Sequence, residues 1–207
     1  MIKAIIFDID GVLVDSKSAN FISFNLALRD IFKLTISEDE DTKLDSLPSR
    51  EKLKLVLSSR GVEHTEEKSK HFNKLKFEYL LQHLHLIDYN DKTTEVFQFL
   101  KNEGKKIGVV TNARGEYIHL VLDELQTKEH VDCAIGNTSG LKTKPAPDMY
   151  QAALMLLEVN ESECVIFEDS EVGLAAAKAV TPNVVKINSF DQLNLEFIKE
   201  QLSIYDS

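Results

Sequence analysis

Four short stretches of the chain are dominated by apolar residues: Ala4–Phe7, Ile107–Val110, Cys164–Phe167 and Val184–Ile187. None alternates regularly with polar residues, the pattern of a strand covered on both faces. Cys133–Ile135 is a shorter fifth candidate. From Ile107 onward these runs alternate with helical patterns near Glu116–Leu125, Asp148–Leu157, Glu171–Val180 and Leu193–Leu202. Strand and helix in alternation predict βαβ units, hence a parallel sheet sandwiched by helices.

The stretch from Ser16 to about Asp88 has no strand pattern. Its apolar residues recur at helical spacing: Phe21, Phe24 and Leu28; Leu53, Val56 and Leu57; Phe72, Leu75 and Tyr79. Ser37 and Glu40 fit a capping box. The expected organisation is an α/β core formed by residues 1–15 and 89–207, with an all-helical cap, residues 16–88, inserted after the first strand.

Charge sharpens this division. Residues 16–88 carry 12 Lys+Arg and 12 Asp+Glu, so the net charge of −10 belongs to the α/β part. An acidic protein is a poor fit to nucleic acid or to an anionic membrane, both of which call for basic surface. No run approaches the ~18 apolar residues of a membrane span. The apolar run behind Met1-Ile2-Lys3 is too short for a signal peptide. Cys133 and Cys164 sit beside expected strands and read as buried thiols of a cytoplasmic protein. The six histidines lack zinc-site spacing, and His83 and His85, two apart, are expected to diverge on a helix.

In open parallel sheets ligands bind beyond the carboxyl ends of the strands. The residues there are Asp8-Ile9-Asp10-Gly11 after the first run, Thr111-Asn112 after the second, and Glu168-Asp169-Ser170 after the third. Three carboxylates from two strands would repel one another unless a cation sits among them. Oxygen-only ligands suit Mg²⁺. Thr111 and Lys144, the latter in Lys144-Pro145-Ala146-Pro147-Asp148, could hold a phosphate beside it, and Asp8 could attack phosphorus. Taken singly the pieces have plainer readings: Asp10-Gly11 a turn, Lys144 a solvated lysine, Glu168-Asp169 a helix N-cap. A calcium loop over Asp8–Asp15 fails because Gly11 falls at its fourth position. The signal is the joint placement after successive strands.

These segments resemble four motifs of the haloacid dehalogenase-like superfamily, in the helical-cap subgroup that includes phosphoglycolate phosphatases, sugar phosphatases and β-phosphoglucomutases. Phe7-Asp8-Ile9-Asp10-Gly11-Val12-Leu13-Val14-Asp15-Ser16 resembles the first motif and Thr111-Asn112 the second. Lys144-Pro145-Ala146-Pro147-Asp148 resembles the third, and Phe167-Glu168-Asp169-Ser170 with Gly173 and Ala175-Ala176 the fourth. The resemblance implies a Rossmann-like parallel sheet with helices on both faces, and a Mg²⁺-dependent phosphatase acting on a small phosphorylated metabolite. It implies Asp8 as nucleophile and metal ligand. Asp10 would be the acid and base, and a ligand through its backbone carbonyl. Asp169 would complete the protein ligands, and Glu168 would hold a metal-bound water. Thr111 and the Asn112 backbone N–H would take the phosphoryl oxygens, and Lys144 would neutralise charge.

Within the cap, Ser49-Arg50-Glu51 resembles the segment whose arginine grips a substrate's non-reacting phosphate in β-phosphoglucomutases; a solvated helix start capped by Ser49 fits the same residues. Lys74 and Lys76 fit either partners of Arg50 or a solvated face. Asn20 stands where those mutases carry a proton-shuttling histidine, which favours hydrolysis over mutase chemistry. Asp88-Tyr89-Asn90-Asp91 replaces the family's Pro-Gly at the return to the core. A non-catalytic phospholigand-binding module on the same fold is disfavoured by the intact Asp8, Asp10, Lys144 and Asp169.

Overall fold

The computed structural model describes residues 1–44 and 47–205. It divides into two compact units, Met1–Asp15 with Tyr89–Ser207, and Ser16–Asp88. In chain order the strands are β1 (Ala4–Phe7), β2 (Val14–Asp15), β3 (Asp88–Tyr89), β4 (Lys106–Val110), β5 (Cys133–Ile135), β6 (Cys164–Glu168) and β7 (Val184–Lys186). The helices are α1 (Lys17–Phe32), α2 (Glu38–Thr42), α3 (Ser49–Ser59), α4 (Glu66–Gln82), α5 (Thr93–Asn102), α6 (Gly115–Glu124), α7 (Asp148–Leu157), α8 (Glu171–Lys178) and α9 (Leu195–Tyr205).

The first unit is an α/β fold around a five-stranded parallel sheet of order β5-β4-β1-β6-β7. Alternate residues of β1 serve opposite faces, as strand geometry requires. Ala4 and Ile6 join Met149, Tyr150 and Ala153 of α7 and Ala176 and Ala177 of α8. On the other face, the ring of Phe7 stacks on Phe97 of α5 at 5.1 Å and on Phe167 at 5.2 Å, and Phe167 meets Phe197 of α9 edge-on. With helices on both faces, the central strands β1 and β6 have no solvated side and read as apolar runs. In register, Phe7 lies beside Val109 and Phe167, so the chain leaves β1, β4 and β6 at the same level. Helix α5 did not register in the sequence. Its apolar residues Val96, Phe97 and Leu100 are buried, but its N-cap is Lys92, which makes no side-chain capping bond.

The second unit is all helical. Phe24 and Leu28 of α1, Leu53 and Leu57 of α3 and Phe72 of α4 form its core, with Phe24 and Phe72 edge to face at 5.0 Å. The Ser37–Glu40 capping box is present. Three local expectations need correcting. Pro48, not Ser49, caps α3, and Ser170, not Glu168 or Asp169, caps α8 with its hydroxyl. His83 and His85 do not diverge: α4 ends at Gln82, and in the 3₁₀ turn that follows the two rings stack at 6.0 Å. Among the described residues no helix is long and apolar enough to cross a membrane.

Candidate active site

Asp8 follows β1 directly and is 7% exposed. Its backbone N–H donates to the Phe167 carbonyl, which ties the end of β1 to β6. The loop that follows is tight. The Ile9 carbonyl accepts from the N–H groups of Val12, Leu13 and Val14, and Gly11 takes φ +83°, where a side chain is strained.

Lys144 is the centre of the charge arrangement and only 2% exposed. Its ammonium donates to Asp8 Oδ1 at 2.8 Å, to Glu168 Oε1 at 2.6 Å and to the Val110 carbonyl at 2.8 Å. It lies 4.8 Å from the centroid of the Tyr150 ring, whose hydroxyl donates to the same Glu168 oxygen. The reading of Lys144 as a solvated surface lysine is thereby overturned. Asn112 positions this lysine: its side-chain oxygen accepts from the Lys144 backbone N–H, and its amide nitrogen donates to the Lys144 carbonyl. Thr111 is buried, and its hydroxyl oxygen accepts from the Ala113 N–H.

One oxygen each of Asp8, Glu168 and Asp169 lie within 4.8 Å of one another. Glu168 is fully buried, and both its oxygens already accept hydrogen bonds. Oε1 takes Lys144 and Tyr150; Oε2 takes the N–H and hydroxyl of Ser170. Asp169 differs: its buried Oδ1 has no hydrogen-bond partner among the described residues. An orphaned acceptor beside two more carboxylates is a set short of positive charge. Hard oxygen donors in that state fit Mg²⁺. The Asp10 carboxylate is outside this trio; its Oδ1 accepts from the hydroxyl of Tyr117 at 3.1 Å.

The charges perturb one another. Burial pushes the Asp8 carboxyl well above the usual range, Lys144 pulls it back, and Glu168, Asp169 and Asp10 push it up again. Burial pulls the Lys144 ammonium down, but Asp8, Tyr150 and Glu168 outweigh it and leave Lys144 well above its ordinary value. With three acceptors within 2.8 Å, Lys144 is held as the ammonium. Burial first, then Glu168 and Asp10, raise the Asp169 carboxyl to about 7.

Two glycines make room for these carboxylates. A Cβ on Gly11 would sit 2.0 Å from Asp169 Oδ2, and one on Gly173 would sit 1.9 Å from Glu168 Oε1. Gly173→Ala is therefore expected to cost roughly 1–3 kcal/mol, the range for overpacking a fitted interior. Thermal unfolding checks it; an unchanged midpoint would mean the carboxylate moves aside freely.

Arg50 belongs to the helical unit, where its guanidinium pairs with Glu66 at 2.7 Å, both side chains more than half exposed. Lys74 is solvated, with Glu78 3.8 Å away. Lys76 donates to Asn20 Oδ1 at 2.7 Å, and the Asn20 amide nitrogen donates to the Ser16 hydroxyl. Tyr117 and Tyr150 carry no mark in the sequence beyond falling within the helical patterns near Glu116–Leu125 and Asp148–Leu157.

The profile of the haloacid dehalogenase-like hydrolases matches residues 5–187. The chain belongs to that family. As a family member it is an enzyme, a phosphoric monoester hydrolase by kinship with its named phosphatases. It is 26% identical over 182 residues to a β-phosphoglucomutase of Bacillus subtilis, covering 86% of this chain and 79% of that one. It is also 26% identical over 177 residues to a phosphorylated carbohydrates phosphatase of Thermotoga maritima, covering 86% and 81%. The solved β-phosphoglucomutase of Clostridium difficile superposes with a TM-score of 0.82 at 22% identity, over 100% of this chain and 99% of that one. This last likeness speaks for the fold of these hydrolases, a parallel sheet with an inserted helical cap.

Proposed function

We propose that this hydrolase is a Mg²⁺-dependent phosphatase of a small phosphorylated metabolite, such as a sugar phosphate or a phosphoglycolate-like acid, working in the cytoplasm. The observation that carries the reading is the convergence of Asp8, Lys144, Glu168 and Asp169, with Asp10 two residues beyond Asp8. Mg²⁺ held by Asp8, the Asp10 carbonyl and Asp169, with Glu168 beside them, would supply positive charge for the phosphoryl oxygens. Asp8 attacks phosphorus as the bond to the departing oxygen breaks, and Asp10 gives that oxygen its proton. Water then attacks the phosphorus, Asp10 takes up a proton, and Asp8 leaves as carboxylate. Lys144 stays on Asp8 throughout, and Thr111 and the Asn112 N–H receive phosphoryl oxygens. Positioning and charge dominate such transfers.

A second reading is a phosphomutase. Asn20 disfavours it, since an amide bonded to Ser16 and Lys76 cannot relay a proton. Arg50 is proposed to exchange Glu66 for an anionic group of the substrate; an exposed ion pair is worth only about 0–1 kcal/mol and is readily given up.

Phosphate release from p-nitrophenyl phosphate with Mg²⁺, and its loss on chelation, is the direct test; full activity after exhaustive chelation would contradict the reading. Stability adds a check. The folded protein holds the Asp169 proton up to about 7, whereas the unfolded chain releases it near 3.8. Folding stability therefore falls as pH rises through that window, at about 1.4 kcal/mol per pH unit at most. Metal-free protein is expected to melt lower at about pH 8 than at about pH 5.5, and Mg²⁺ to raise the midpoint more at the higher pH. An Mg²⁺ effect equal at both pH values would count against Asp169 as a ligand.

A further inference from the structure

We propose that Tyr117 is a positioning residue for Asp10, holding its carboxyl group in the orientation from which Asp10 delivers a proton to the departing group. The inference rests on the reading of Asp10 as the acid.

The phenol of Tyr117 donates to Asp10 Oδ1 across 107 positions of sequence. Its ring is 1% exposed, locked among core residues rather than waving at a surface. The helix that carries it is pinned at its start. The Gly115 N–H donates to the Thr138 hydroxyl, the Asn137 N–H to the Ala113 carbonyl, and the Tyr117 N–H to the Arg114 carbonyl. Gly136 allows the approach, since a Cβ there would sit 2.7 Å from the Gly115 nitrogen. The same segment begins with Thr111 and Asn112. One short stretch thus carries both the residues for the phosphoryl oxygens and the phenol that grips the acid. With Oδ1 bonded to the phenol, the Asp10 carboxyl is held for delivery. In the first step the bond from Asp8 to phosphorus forms, the bond from phosphorus to the leaving oxygen breaks, and the Asp10 proton passes to that oxygen. In the second, water bonds to phosphorus, its proton returns to Asp10, and Asp8 is released.

The test is Tyr117→Phe, which keeps the ring and removes the hydroxyl, assayed as kcat/KM on two monoesters. An alkyl phosphate needs its leaving oxygen protonated, whereas 2,4-dinitrophenyl phosphate does not. General acid catalysis is worth roughly 10²–10⁴-fold, so a misplaced acid should cost the alkyl ester on the order of tenfold more than the aryl ester. The ratio is read in a single preparation, so a reduced folded fraction cancels. Asp10→Asn in the same pair of assays separates two failures. If Asp10→Asn shows the selective loss and Tyr117→Phe slows both esters equally, or neither, the role of Tyr117 is overturned. If Asp10→Asn shows no selectivity, it is the assignment of Asp10 as acid that falls, and the proposal with it. In the double variant the phenol should add no further selective loss to that of Asp10→Asn; an additive one would also overturn the proposal.

Discussion

Asp8→Asn is expected to lose turnover by roughly four orders of magnitude or more, the scale on which removing a covalent nucleophile is felt. An amide is nearly isosteric with the carboxyl but cannot form an acyl phosphate. The fold should survive. Burial and three neighbouring acids already push the Asp8 carboxyl up, so exchanging it for a neutral group relieves one strain while Lys144 keeps Glu168 and the Val110 carbonyl as partners. Steady-state rates together with a thermal melt check this. Normal rates would remove Asp8 from the chemistry, and loss of the cooperative transition would make its role structural.

Lys144→Met should damage both stability and activity. Deleting one partner of a buried ion pair leaves uncompensated charge and costs about 3–5 kcal/mol. Here two carboxylates, Asp8 and Glu168, lose the same ammonium. In a chain of this size each kcal/mol moves the melting midpoint by ~2–4 °C, so a fall of about 10 °C is expected. Adding Glu168→Gln to Lys144→Met should restore part of it, because the variant then has one unpaired buried carboxylate fewer; groups sharing a partner are not additive. A shift within the roughly 0.5 kcal/mol typical of surface positions would contradict this picture.

The core of the site could be read from the sequence because of how parallel sheets are built. Strands covered on both faces must be apolar throughout, so Ala4–Phe7 ends abruptly at Asp8 and Cys164–Phe167 at Glu168. A carboxylate immediately after such a run stands at a strand end without further information. Other features carried no such mark. Strands β2 and β3 are two residues long, too short for any period. Helix α5 lacks a capping side chain. Tyr117 and Tyr150 sit at apolar helical positions, and only the tertiary fold decides where their hydroxyls end. The same holds for Asn112, whose side chain braces the Lys144 backbone, and for Gly11 and Gly173, whose missing methyls are spaces for Asp169 and Glu168. Asn90, standing where the family's Pro-Gly is absent, is another case. Its amide nitrogen donates to the Phe190 and Leu193 carbonyls and its N–H to the Leu13 carbonyl, which ties the returning chain into the first unit.

The central step is the passage of a phosphoryl group through Asp8. The most direct measurement is a rapid acid quench during the first turnover, with the protein digested and any phosphorylated peptide mapped by mass spectrometry. The expected result is phosphate on Asp8, appearing before inorganic phosphate is released and absent from Asp8→Asn. Phosphate mapped to another residue, or released in the first turnover with no phosphorylated peptide preceding it, would contradict the account.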